Sequence, residues 1–537
     1  PISRRAEARP LTPGVDAMEL PPSIFNDVIG PVMRGPSSSH CAAAVRIGLI
    51  ARDLMGGRIE RVRLEFDAEG SLAHTHADQG SDAGFFGGLL GWETDDARLA
   101  DAAGALASAG IAVEIRIGRF GDPHPNTYRI ALEGGGETHT MRALSTGGGM
   151  VEVIAVDEIP LSLRGDRHVT LLGAGGGFSP ADLPPRLPGG AEILAHGGPP
   201  PALVEIRTPA PLPEETLRDI AARPGVRWVR RIRPVLPVLT RPGVRVPFLS
   251  CREMLAWNRD RGLDLARLAA VYESARGGIP EDEVVGRMRR IAGILARSVA
   301  QGIAGTAFPG RLLPAQAPAF GEALAAGRLI EAGALNRMIH YAAALMEVKS
   351  AFGTIVALPT AGSCGAVPGA VLGFTDAMGL GEEEAAAGLL AAGLVGVFIA
   401  ARATFAAELA GCLAECGAAS AMAAAALVTL RRGGVLAAAA AASMALQNVL
   451  GLVCDPVANR VEVPCLGRNV LAVANALSCA NLALAGFDPV IPLDETIDAM
   501  ADVGSRLPPE LRCTGGAGLS RTPTAQALAR RLAKPAA

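Results

Sequence analysis

Aromatic side chains are scarce in this chain: Phe, Trp and Tyr together make up 4% of its 537 residues, although half of all residues are hydrophobic. The apolar content is therefore mostly Ala, Leu and Val, a composition suited to a large core of closely packed helices. Charge is thin as well. The 19% of charged residues falls below the roughly 25% of an average soluble chain, and 50 Lys+Arg against 53 Asp+Glu leave a net charge of −3. That balance excludes a basic nucleic-acid footprint as the leading function, so no nucleic-acid partner is expected. The first twenty residues carry Arg4, Arg5 and Arg9 but no apolar run of about 7–15 residues before a small-residue cleavage site, and no secretory signal is expected. The sequence begins at Pro1 and is expected to lack an initiator region. One long apolar run exists, Ala385 to Ala401, 17 residues between Glu384 and Arg402. It is short for a span and rich in Ala and Gly, so a buried core helix is expected and no membrane contact.

Nine cysteines are present, and Cys364, Cys412, Cys416, Cys454, Cys465, Cys479 and Cys513 fall in the last third. In a cytosolic chain such clustering favours metal or reactive-thiol chemistry over a disulfide framework. Neither CxxC pairs nor a zinc-finger spacing occurs, and on spacing alone buried inert thiols remain the preferred reading of Cys412, Cys454 and Cys465.

The length suggests about three or four domains. Between residues 24 and 167 the pattern is mixed α/β. Val62, Leu64 and Phe66, then Val113, Ile115 and Ile117, then Val151 and Val153, alternate with polar residues as half-buried strands do. Helices are expected over Ala42 to Met55, ending at Gly56-Gly57, and over Asp95 to Ala109, ending at Gly110. Residues 168–242 read as a small α/β unit, with loop around Gly173–Gly177 and through the Pro-rich 184–201, then strand (Leu203 to Arg207), helix (Pro213 to Ala222) and strand (Val226 to Ile232). The unit fits either a regulatory module or a spacer. From Ser250 onward strand patterns nearly vanish, and helices are expected over 281–303, 315–352, 383–400, 417–431, 434–452 and 469–485. The fold class is thus multidomain: an α/β domain, a small α/β unit and an all-α helical domain whose loops carry the chemistry.

Two loops qualify for that chemistry. Gly35-Pro36-Ser37-Ser38-Ser39-His40 precedes a helix, where hydroxyls and free backbone N–H groups make a site for a carboxylate or phosphate; a plain serine N-cap is the alternative. Leu358-Pro359-Thr360-Ala361-Gly362-Ser363-Cys364-Gly365-Ala366-Val367-Pro368-Gly369 sets hydroxyls among Gly and Pro between apolar helices, either to face a ligand or only to connect them.

Taken together and in this order, these stretches resemble the iron–sulfur-dependent L-serine dehydratases. DVIGPVMRGPSSSH, GSLA, GSD, GGLLGW, HPNTYRI and STGGGMVEV look like the family's β chain. EVKSAFGTIVALPTAGSCGAVPG, GCLAECGAASAMAAAA, QNVLGLVCDPVANRVEVPCLGRN and RCTGGAGLSRTPTA look like its α chain. The resemblance implies an N-terminal extension over 1–23, a β-type α/β domain over 24–167, an ACT-like or spacer unit over 168–242 and an all-α α-type domain over 243–537. It implies a [4Fe–4S] cluster on Cys412, Cys454 and Cys465, with the fourth iron open to act as a Lewis acid on the substrate hydroxyl. Ser37, Ser38, Ser39 and His40 look like the substrate-facing loop, and Thr360, Ala361, Gly362 and Ser363 like the loop that meets it. His40, Ser38 and Ser39 are the expected catalytic residues. Packing is the preferred reading of Cys416, and Cys513 is left outside the ligand set; some relatives carry a terminal cysteine on the fourth iron, whereas this sequence ends LAKPAA.

Two departures stand out. Gln79 occupies the position of the family's histidine base, and an amide accepts no proton at neutral pH; His40, in an intact motif, is preferred as the base over His74 and His76. Arg402 lies where the family has a small polar run, to grip a second carboxylate or to sit on the surface. The expected function is dehydration and deamination of L-serine to pyruvate and ammonia in the cytoplasm, by a homodimer acting on a small amino acid. A lyase for another β-substituted acid and a non-catalytic amino-acid-binding homologue are the alternatives.

Overall fold

A computed structural model of the chain describes residues 20–532 apart from 185, 186, 242 and 309, so residues 1–19 of the expected extension and the last five residues lie outside the described part. Strand β1 (Val32–Met33) is followed by a six-stranded sheet of β2 (Arg61–Asp67), β3 (Ala112–Gly118), β4 (Thr127–Gly134), β5 (Glu137–Gly147), β6 (Met150–Val156) and β7 (Ile159–Leu163), ordered β3-β2-β4-β5-β6-β7. Only β3 runs parallel to its neighbour β2; the rest is an antiparallel meander. Val62, Leu64 and Phe66 of β2 are fully buried, as their alternation requires. On the edge strand β3 the same alternation leaves Ile117 exposed, because helix Ala43–Leu54 lies over β5 and β6 instead.

That helix packs on helix Ser81–Leu89 almost backbone to backbone: a Cβ on Gly48 would stand 2.5 Å from Phe85 O, and one on Gly88 2.2 Å from Val45 O. The helix expected over Asp95 to Ala109 forms as a tight turn, Ala97–Asp101, followed by helix Ala102–Ser108.

The middle unit is a four-stranded antiparallel sheet of β8 (His168–Ala174), β9 (Glu192–His196), β10 (Leu203–Thr208) and β11 (Val226–Ile232), with helix Glu214–Ala221 between the last two. The expected strand–helix–strand is present. The loop reading of 184–201 is corrected: its Gly and Pro mark the ends of β9, an edge strand closed into a hairpin with β10.

The rest is helical. Helices Glu281–Ala304, Ala317–Ala325, Ala334–Ser350, Ala366–Ala377, Glu382–Ala400, Cys416–Leu430, Val435–Gln447 and Cys465–Leu484 pack through Ala and Gly faces. The stretch expected as one helix over 315–352 is two, broken by the Gly327–Gly333 connection. Helix Glu382–Ala400 is long and apolar enough to cross a membrane by length and composition. It is the buried centre of the bundle, and its Gly393 and Gly396 seat Ile24 and Val28 of the N-terminal turn Ile24–Val28. The exception to the all-helical reading is β12 (Ile355–Val356), which pairs with β1 through Val32 opposite Val356 and Met33 opposite Ile355. This short ladder carries the chain into the 358–363 loop beside the 35–40 loop, joining the α/β and helical parts where both serine-rich motifs lie.

Candidate active site

The site is built at that seam. Ser38 Oγ accepts the Ala361 N–H at 3.1 Å, so the two loops touch directly. Ser39 is tied from the other side, its carbonyl accepting the Ser145 hydroxyl at 2.6 Å. His40 is fully buried. Its Nε2 lies 2.8 Å from Thr75 Oγ1, whose own hydroxyl is committed to Ser71 O at 2.7 Å. Thr75 must therefore accept, which makes His40 the Nε2–H tautomer and leaves Nδ1 to accept from Ser37 Oγ at 2.9 Å. Burial, with repulsion from His76 added, holds the His40 pKa down at about 3. The ring is neutral.

On the helical side, Thr360 Oγ1 donates to Glu415 Oε1 at 2.6 Å, and Ser363 Oγ caps the Thr360 N–H at 3.3 Å. A Cβ on Gly362 would lie 2.5 Å from Glu415 Oε1, so a larger residue there would displace the carboxylate that accepts the Thr360 hydroxyl. Asn469 ties the loop to the cysteines: its Nδ2 donates to Gly362 O and to Cys465 O, both at 2.8 Å. Burial raises the Glu415 carboxyl to about 7 against the Thr360 hydrogen bond.

All nine cysteines are free and buried. The sulfurs of Cys412 and Cys454 and a Glu415 oxygen lie within 4.8 Å of one another. Hydrogen bonds with the Cys412 and Cys513 side chains, then burial, push the Cys454 thiol well above its usual value. Cys513 is fixed there by its N–H on Cys454 O at 3.0 Å. Cys465 opens its helix on the Thr360-loop side, packed with Ala361 and Cys364; burial pushes its thiol up to about 12, with Cys412 and Glu415 adding and Lys349 opposing. Arg468 Nη1 donates to Cys412 Sγ at 3.3 Å while its other amino group holds Asp455.

Gln79 is buried beside these thiols, its Nε2 3.8 Å from Cys513 Sγ. His76 instead faces Asp82 at 2.8 Å, and His74 is exposed. Arg402 pairs with Asp498 on the surface, which removes the reading in which it grips a second carboxylate. Sequence reasoning missed Glu408, Glu415, Arg468, Asn469 and Asn126. A signal for two of them existed: Glu408 and Glu415 bracket Cys412 in AELAGCLAECG, two acidic groups in an Ala-rich buried stretch.

Residues 249–520 match the family model described as serine dehydratase alpha chain. The "Probable L-serine dehydratase, alpha chain" of Bacillus subtilis is 34% identical over 285 residues, 53% of this chain and 95% of that one. The "L-serine dehydratase, alpha chain" of Peptoniphilus asaccharolyticus is 35% identical over 282 residues, 52% of this chain and 97% of that one. A "Probable L-serine dehydratase, beta chain" of Bacillus subtilis is 39% identical over 150 residues, 28% of this chain and 67% of that one. With half its length under the alpha-chain model and beta-chain similarity besides, this chain belongs to the serine dehydratase family.

Proposed function

We propose that the protein dehydrates L-serine and releases pyruvate and ammonia, with a [4Fe–4S] cluster held by Cys412, Cys454 and Cys465. The observation that carries the reading is the meeting of the Ser37–His40 loop, the Thr360–Ser363 loop and the buried thiols at one seam. The soft sulfurs of Cys412 and Cys454, gathered beside Glu415 with an Arg468 N–H directed at Cys412, fit such a cluster. When bound, the cluster supplies a Lewis-acidic iron for the β-hydroxyl of the substrate. Ser37, Ser38 and Ser39, with the Ala361 and Gly362 backbone, take the substrate carboxylate. As the Ser37 hydroxyl turns to that carboxylate, His40 Nδ1 is released to take the α-proton, while the Thr75 bond to Nε2 fixes the ring plane. Glu408 Oε1, 3.7 Å from Nδ1, faces the imidazolium so formed. Loss of hydroxide and the α-proton leaves an enamine that tautomerises and hydrolyses to the 2-oxo acid and ammonia.

The middle unit supports an ACT-like reading: by chain order its strands run 4-1-3-2, all antiparallel, as in split βαβ folds, with the first helix reduced to the turn Pro180–Asp182. A cytoplasmic homodimer fits an enzyme whose thiols must stay reduced. The test is a product assay after anaerobic reconstitution over a panel of amino and hydroxy acids: pyruvate from L-serine supports the reading, and exclusive turnover of another β-substituted acid replaces it.

A further inference from the structure

Glu408 is left unused by the steps above except as a neighbour of His40, and its surroundings are unusual. It sits in the short helix Ala407–Ala410, just before Cys412, with 7% of its surface exposed, while Asn126, which precedes β4, is 1% exposed. The Asn126 side chain hydrogen-bonds the Glu408 carboxyl, whose pKa burial raises above the ordinary carboxylate value. Two acceptor atoms there, Glu408 Oε2 and Asn126 Oδ1, are buried with no hydrogen-bond donor. Among the described residues the one basic side chain within 4 Å of the Glu408 carboxyl is His40, which is neutral. His124 also faces Glu408, but burial lowers its pKa and its Nδ1 already accepts the Asn126 N–H at 3.2 Å. A buried carboxyl flanked by a second orphan acceptor and by no cation lacks what a cation with several N–H donors would supply.

We propose that Glu408 and Asn126 form the subsite for the α-ammonium group of the substrate, so that the enzyme selects 2-amino acids over the matching 2-hydroxy acids. The inference rests on the serine-dehydrating reading for the placement of the carboxylate. Ser37 Oγ and Glu408 Oε1 stand on the same imidazole nitrogen, at 2.9 and 3.7 Å from His40 Nδ1. In an α-amino acid the carboxylate and the ammonium hang from one carbon. With the carboxylate on the serine side and the ammonium on the Glu408 side, that carbon and its hydrogen face Nδ1. An ammonium brings three donors and a positive charge to these acceptors; a 2-hydroxyl brings one donor and no charge.

The test uses the full cluster-loaded chain and two unreactive probes of nearly the same shape, L-alanine and L-lactate, with dissociation constants from anaerobic calorimetry. Wild type should bind L-alanine at least about tenfold more tightly than L-lactate, and Glu408→Gln should weaken L-alanine about 10- to 100-fold, the range of a lost charge-assisted hydrogen bond, while shifting L-lactate less than about threefold. Asn126→Ala should act in the same direction with a smaller change, and Asn126→Asp should widen the alanine–lactate gap; these two carry the test if Glu408→Gln does not fold. Equal losses on both probes, an unchanged L-alanine affinity, or no preference in wild type overturns the subsite. Pyruvate formation from L-serine by wild type is scored separately. If it fails while the alanine–lactate split holds, the serine reading falls and the ammonium subsite stands.

Discussion

At the scale of single residues the account turns on His40 and three cysteines. Replacing Cys412, Cys454 or Cys465 by Ser should in each case abolish the cluster, measured as loss of the about four irons per chain expected of one cubane; Cys513→Ser should retain that iron. His40→Ala should lower kcat by about 100-fold or more, the usual scale for a lost general base, with iron content unchanged. His76→Ala should cost much less, since His76 faces Asp82. The buried imidazole also sets a pH dependence. Its folded pKa of about 3 lies below the ordinary 6.5, so between those values the unfolded chain binds more protons. The stability it contributes is complete above about 6.5 and is lost as the pH falls toward 3; His40→Asn should flatten that limb of a denaturation series. The serine and cysteine words could be read because each is a contiguous run of unusual residues. Glu408, Asn126, Asn469 and Arg468 could not, because each acquires its role from partners on other segments.

At the scale of elements, close helix contacts and one buried carboxyl decide the geometry. Gly84 lies on helix Ser81–Leu89, where a Cβ would come 2.2 Å from Cys41 O, in the turn that presents Ser38, Ser39 and His40. Gly84→Ala should destabilise by about 1–3 kcal/mol, the cost of overpacking, and should raise KM for serine as the turn is displaced. Glu273 of helix Leu265–Gly277 holds the N-terminal turn, accepting from Ser23 Oγ at 2.5 Å and from the Ile24 N–H at 2.7 Å. Burial raises its pKa from 4.5 to about 7 despite those bonds. Here the folded chain binds more protons, so the contribution is complete below 4.5 and is lost as the pH rises through 7; Glu273→Gln should remove this slope in chemical denaturation. The elements most easily read were those with strong period, β2 and the long Ala-rich helices. β9 was missed because an edge strand bounded by Gly and Pro resembles loop, and β12 because two residues carry no period.

At the scale of the whole molecule, the β1–β12 ladder and the Ser38–Ala361 bond make one site from two halves of the chain. No periodicity could reveal that meeting, since it joins residues more than three hundred positions apart. The order of the motifs could suggest it, through resemblance. Gln79 belongs to this scale because it reaches from the α/β part to Cys513 of the helical part. If L-serine is the substrate served by this arrangement, Gln79→His should not raise kcat/KM for serine beyond about threefold. The most direct measurement is pyruvate release from L-serine by the anaerobically reconstituted full chain, with iron counted in the same sample. The account predicts pyruvate and ammonia in equal amounts, lost in His40→Ala at unchanged iron. A chain carrying its full iron that releases no pyruvate from L-serine would contradict it.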